Sequence, residues 1–252
     1  MGCRKILHLY RQSHPEEAGR IGRDRAFEEF RKRGLLIPKK RGKPRTTQAY
    51  HNLPIYRNRI KGLQPSAANQ VWVSDLTYIH TRDGLLYLSL VTDSYSRKIQ
   101  GYHLAGDLKA SGCLCALDMA LAHLPEGQHP IHHSDRGCQY ASHEYVQKLA
   151  QRDLQVSMTE VDHCAENALA ERMNGILKQE YELDWCFANR AEAQRAVKQA
   201  VTRYNEKRPH GALGYQTPSG VHQSSIEATG SSWRPAAPRL APLASATQAA
   251  KN

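Results

Sequence analysis

Three acidic residues stand where an ionised carboxylate needs a partner. Asp75 lies inside the apolar run Val71-Trp72-Val73-Ser74-Asp75-Leu76, Asp135 ends the run His132-His133-Ser134-Asp135 ahead of Arg136-Gly137, and Glu171 falls in a helical stretch that begins near residue 165. An ionised carboxylate within an apolar strand is unfavourable unless something compensates it. A hard divalent cation does so, because Mg2+ binds carboxylate oxygens and keeps some of its waters. Acids from two strands and one helix can hold two such ions about 4 Å apart, which steadies both the attacking and the leaving oxygen of a phosphodiester. The plain alternative is three unrelated acids, each paired with a base, and Asp75 alone does not separate the two.

The helix around Glu171 sharpens the choice. On a wheel of 100° per residue, Asn167, Asn174, Gly175 and Lys178 fall within about 60° of Glu171, and Leu169, Met173, Ile176 and Leu177 fall opposite, toward a sheet. Two amides, a glycine and a lysine beside a carboxylate suit contact with phosphates and bases. A glycine in mid-helix is unfavourable by about 1 kcal/mol relative to alanine, and close approach of a DNA backbone explains Gly175. An ordinary solvated face is the competing reading.

The elements that must position these residues follow from periodicity. Strands are expected at 71–79, 85–93, 98–104, 130–134 and 154–158, with Asp83-Gly84 marking a hairpin turn between the first two. Helices are expected at 109–123, 142–152, 165–182 and 189–205. Three strands, a helix, a strand, a helix, a strand and then helices predict an α/β fold, a five-stranded mixed sheet flanked by helices. Ahead of it, residues 3–12 and 22–33 form two short helices, the second with an Ala26, Phe27, Phe30 stripe, like half of a helix-turn-helix. The expected division is a basic helical segment at 1–36, a basic linker at 37–68, the α/β core at 69–185, a C-terminal helix and following segment at 186–223, and a disordered tail at 224–252, rich in Ala, Ser, Pro and Thr.

Charge is concentrated at one end. Residues 1–61 hold 17 Lys and Arg against 5 Asp and Glu, and the remainder holds 18 against 19. A compact basic segment is the footprint of a polyanion partner. Within it, Lys39, Lys40, Arg41, Lys43 and Arg45 interleave with Pro38, Gly42 and Pro44, the composition of a linker that tracks phosphates. The 6 cysteines include no Cys-x-x-Cys pair, so reduced thiols are expected rather than zinc ligands. The chain has no apolar run of about 18 residues and no signal-peptide core at its N-terminus. No membrane contact is therefore expected, and the protein reads as cytoplasmic.

The segments Trp72-Val73-Ser74-Asp75-Leu76-Thr77-Tyr78, His133-Ser134-Asp135-Arg136-Gly137-Cys138-Gln139-Tyr140 and Asn167-Ala168-Leu169-Ala170-Glu171-Arg172-Met173-Asn174-Gly175 resemble the catalytic signatures of the retroviral-integrase superfamily, with 35 residues between Asp135 and Glu171. They are most similar to the OrfB-type transposases of bacterial insertion sequences. Tyr204 to Pro218 resembles that family's C-terminal signature, and the likeness runs from about residue 20 to 222.

The resemblance implies an RNase H-like core, Mg2+ or Mn2+ as cofactor with two ions, cleavage of one strand at each element end, and attack of the freed 3′-hydroxyl on a second DNA strand. It makes Asp75, Asp135 and Glu171 the metal ligands, and Asn167 and Lys178 contacts to the element's terminal DNA. Arg208 and His210 are candidates for phosphate contact, with packing against the core as the alternative. The implied partners are element ends and target DNA, further copies of the chain on DNA, and an upstream-frame helix-turn-helix protein, in a nucleoid-associated setting. Two other functions fit the same residues: a catalytically silent DNA-binding regulator, and an RNase H-like nuclease that cuts without joining.

Overall fold

The computed structural model describes residues 2–36, 53–160 and 167–236. Lys39, Lys40, Arg41, Lys43 and Arg45, the first residues of the helix expected from 165, Cys164, and residues 237–252 of the tail lie outside the described residues.

Helices α1 (Cys3–Ser13) and α2 (Arg23–Lys32) open the chain. Cys3 and Leu7 of α1 meet Ala26 of α2, with Ile21, Phe27, Phe30 and Leu36 packed around them. The rest is built on a sheet of β1 (Val71–Thr81), β2 (Gly84–Asp93), β3 (Ile99–Ala105), β4 (Ile131–Ser134) and β5 (Gln155–Met158), in the order β3-β2-β1-β4-β5. β2 is antiparallel to β1 and β3, and β4 is parallel to β1 and β5. This is the mixed sheet expected. A sixth strand, β6 (Cys186–Phe187), extends it by pairing in parallel with the far end of β1 through His80↔Cys186 and Thr81↔Phe187.

Side chains alternate across the sheet, and two helical layers cover it. Trp72 and Val91 pack on one face against α3 (Ala110–Ala122) and α5 (His143–Ala150), beside the short α4 (Cys138–Ala141). Ile79, Leu86, Leu88 and Leu90 pack on the other against α6 (Ala168–Glu180) and α7 (Arg190–Lys207). α3 lies so close to β3 that a Cβ on Gly101 would overlap the Ala116 carbonyl and sit 2.8 Å from Ala120 N. Both atoms are backbone and cannot rotate away. Gly101→Ala is therefore expected to lower stability by about 1–3 kcal/mol or more. An unchanged midpoint in urea unfolding would show that α3 has room to move.

Residues 224–236, expected as the start of a disordered tail, have a defined place in the fold. α8 (Pro218–Thr229) runs through residue 224, and the chain beyond it returns to the entrance of β1. Ala68 N donates to Ser225 Oγ at 2.8 Å, Trp233 Nε1 donates to Ala68 O at 3.0 Å, and Gln70 Nε2 donates to Arg234 O at 2.8 Å. The buried residues of α8 are Pro218, His222 and Ser225. With no apolar stripe, the sequence carried no periodic signal for it.

Candidate active site

Parallel pairing brings two of the three acids together. Val73 of β1 is the register partner of His133 of β4. Asp75 lies two residues beyond Val73 and Asp135 two beyond His133, so both acids reach the same level and the same face of the sheet. That face is the one α6 covers, where Val71, Val73, Ile131 and Ala170 form a small apolar cluster. Asp135 Oδ1 accepts from Gly137 N at 3.0 Å, a local turn that ends the strand and fixes the carboxylate's root. Behind the sheet lies a neutral polar network. His132 Nε2 meets Ser74 Oγ at 2.8 Å and Tyr145 Oη at 2.9 Å. Burial, then the neighbouring His133, lowers the His132 pKa to about 3, so it carries no charge toward the acids.

Asp75 bears the strain of this arrangement. Burial foremost, and then the charge of Asp135, pushes its carboxyl up to about 7; the Leu76 backbone and Asn174 side chain oppose that rise, and Glu171 adds to it. An acid whose folded pKa is raised holds a proton that the unfolded chain has released, so stability falls as pH rises from about 4 to 7. The effect is at most about 4 kcal/mol, and because its exposed surface leaves Asp75 only half-buried the expectation falls to about 1–2 kcal/mol. Without divalent metal, Asp75→Asn should thus melt a few degrees above the parent at pH 8 and together with it near pH 4. Melting curves that differ equally at both values would remove Asp75 as the source.

Glu171 stands apart from the pair. It is exposed on the first turn of α6, and among the described residues no group of three His, Cys, Asp or Glu side chains is close enough to hold a metal ion. The donors nonetheless suit a hard cation. They are all oxygen, and two carboxyls close enough for the charge of Asp135 to raise the Asp75 pKa are ligands that a divalent ion takes.

The face of α6 differs from the wheel. Asn167 and Asn174 are buried rather than displayed beside Glu171. Asn167 Nδ2 donates to Ser74 O at 3.2 Å, and Asn174 Nδ2 donates to Asp75 Oδ2 at 2.6 Å. α6 lies against β1 along Asn167, Ala170, Asn174 and Leu177, and buries Met173 and Ile176 as well. The protein covers a wider arc of the helix than one sheet contact would. Gly175 remains half-open: among the described residues, its own turn of helix aside, nothing lies within 4 Å of where its Cβ would be. With Ala168, Glu171, Arg172, Ile176, Gln179 and Glu180 it lines a groove of ≈ 330 Å³.

Arg208 and His210 are not surface cations. Arg208 is 1% exposed, and its Nε and Nη2 bond the two oxygens of Glu180 at 2.8 and 2.9 Å. His210 is half-buried, and burial foremost, then the charges of Arg208 and Lys5, lowers its pKa to about 4. It is neutral at physiological pH and has no charge to offer a phosphate. The same segment clamps the fold: Tyr204 Oη donates to Arg97 O at 2.9 Å, and the Asn205 amide exchanges two 2.9 Å bonds with the backbone of Ile99.

Two integrase core domain family models match the chain, one over residues 65–164 and one over 152–218. The insertion element IS600 uncharacterized 31 kDa protein of Shigella sonnei is 36% identical over 205 residues, 81% of this chain and 75% of that one. The transposase InsF for insertion sequence IS3A of Escherichia coli is 32% identical over 199 residues, 78% and 69% of the two chains. Among solved structures, the HTLV-2 integrase catalytic core domain in complex with magnesium aligns with TM-score 0.51 at 19% identity, over 63% of this chain and 99% of that one. A simian T-cell lymphotropic virus intasome chain aligns with TM-score 0.55 at 20% identity, over 98% and 80%. At that identity the structures establish the fold, an RNase H-like integrase core. Taken with the sequence relatives, they make the chain a member of the insertion-sequence transposases that carry an integrase core.

Proposed function

We propose that this chain cuts one DNA strand at each end of an insertion element and joins the freed 3′-hydroxyl to a second DNA strand, using Mg2+ or Mn2+ held by Asp75, Asp135 and Glu171. The observation that carries the reading is geometric: the pairing of β1 with β4 brings Asp75 and Asp135 to one level and one face of the sheet, where burial foremost, and then the charge of Asp135, lifts the Asp75 carboxyl to about 7. Two bound ions would supply the charge that steadies the attacking and leaving oxygens. Asn174 fixes the rotation of the Asp75 carboxylate through Oδ2. Glu171 then has to close on the pair, and α6 is the element that carries it there.

The groove beside Glu171 is the proposed path of the DNA strand. An open mid-helix Gly175 fits backbone approach there, and Lys178, one turn further on, is a proposed phosphate contact. Residues 1–36 and the basic stretch 37–68 supply further DNA affinity, while 69–185 carry the chemistry. Two element ends must be held at once, so more than one copy acts on DNA, with an upstream-frame helix-turn-helix protein as a possible companion. The HTLV-2 core in complex with magnesium is in keeping with a divalent ion, and the viral intasome with an assembly of more than one chain.

The test is incubation of the protein with labelled element-end DNA, target DNA and Mg2+ or Mn2+. Nicked ends and joined products that disappear on chelation are expected. Nicks without joined products would favour a nuclease, and tight binding without nicks would favour a silent regulator.

A further inference from the structure

The node at the end of α6 has a third member. Lys5 Nζ of α1 lies 3.5 Å from Glu180 Oε1, the oxygen that Arg208 Nη2 also bonds. Its side chain is 16% exposed, against 10% for Glu180. One turn along α1, His8 stacks on Tyr215 with ring centroids 4.4 Å apart and planes 16° apart. α1 is therefore two-sided: Cys3 and Leu7 face α2, whereas Lys5 and His8 face the core.

Glu180 is the last residue of α6. A carboxylate there meets the negative end of the helix dipole, so cations must hold it if the last turn is not to fray. Burial raises the Glu180 pKa, but the hydrogen bonds and charge of Arg208, and then the charge of Lys5, outweigh it and bring the carboxyl below its ordinary value. Arg208 alone would neutralise Glu180. Lys5 is the additional cation, and it arrives from the basic N-terminal segment. Glu171 lies nine residues up the same helix, roughly 14 Å away at 1.5 Å per residue. A tilt of roughly 5° about Glu180 would move Glu171 by about 1 Å, and a misplacement of that size can lower a rate by as much as about 100-fold.

We propose that Lys5 is a positioning residue that acts through Glu180: seating α1 on the Lys5–Glu180–Arg208 node sets the lie of α6 and so the presentation of Glu171. The N-terminal helix pair and the acidic site are then coupled through one helix. The inference rests on the proposed role of Glu171, but its structural half can be measured independently.

The test compares Lys5→Met and Lys5→Arg with the parent chain. Lys5→Met is expected to slow strand cleavage at saturating element-end DNA on the order of tenfold and to speed amide hydrogen exchange within residues 168–180. Its DNA affinity and salt dependence should match the parent, and Lys5→Arg should restore both cleavage and exchange. Weaker binding with a shallower salt slope would make Lys5 a phosphate contact and overturn the proposal. Unchanged exchange in α6 would overturn it equally. If the parent itself cleaves nothing, the enzymatic reading fails, and the exchange comparison still decides whether Lys5 seats α6.

Discussion

Replacing Arg208 by alanine should lower the unfolding free energy by about 3–5 kcal/mol, the usual consequence of removing one member of a buried ion pair. The guanidinium is 1% exposed, bonds both oxygens of Glu180, and lies 5.5 Å from the centre of the Tyr204 ring. Removing it leaves Glu180, itself 10% exposed, with Lys5 as its remaining cation at 3.5 Å. It also opens a void against Tyr204. The charge and void effects separate in Arg208→Met/Glu180→Met, which removes both charges and keeps much of the volume. That double variant should lose less than Arg208→Ala, because a buried pair replaced by apolar groups is often close to neutral. Denaturant midpoints read the difference directly. A loss below about 1 kcal/mol in Arg208→Ala would mean that the pair behaves as a surface contact and that the C-terminal signature is not a brace.

Asp135→Asn should reduce both strand cleavage and joining at least about a hundredfold, the scale on which removal of one preorganised electrostatic partner acts. Binding to element ends should remain within about twofold, since Asp135 offers phosphates nothing but repulsion. The variant has a second signature that needs no substrate. The Asp135 charge is the second cause of the raised Asp75 pKa, so its removal should stabilise the metal-free chain at pH 8 and do little near pH 4. Lost activity together with raised melting at high pH identifies a charge site awaiting a cation. Full joining activity in Asp135→Asn would end the assignment of the three acids.

The sheet was legible because its strands alternate cleanly and are punctuated. Asp83-Gly84 set the first hairpin, and the observed strands start and stop within two residues of expectation. What escaped notice had no periodic signal: β6 is two residues long, α4 is four, and α8 buries a proline, a histidine and a serine. Asp75 stands out in the sequence for a physical reason, since a carboxylate among Val, Trp and Leu requires explanation, whereas Asp135 is marked only by its place just past a strand. The amides of α6 were misplaced because a wheel gives angles around a helix and not the arc its neighbours cover. Asn174 is at the rim of the arc chosen around Glu171, and β1 reaches that far. For Arg208 the sequence leaves phosphate contact and packing both open, because its partner, Glu180, lies 28 residues earlier and nothing local connects them.

The return of the chain's end to the entrance of β1 has a consequence for how the protein is made. The strand carrying Asp75 is the first of the sheet to be synthesised, yet the contacts that secure its start come from Ser225, Trp233 and Arg234, 157 to 165 residues later. At about 5–20 residues per second, roughly 10–30 s separate the two during translation. Through that interval a nascent chain can form the β1–β2 hairpin, a local event. It cannot close the clasp at residues 68–70, and Glu180 waits for Arg208. A product that stops short of residue 208 would contain all three acids and lack Arg208, the bidentate partner of Glu180 at the end of the helix that carries Glu171.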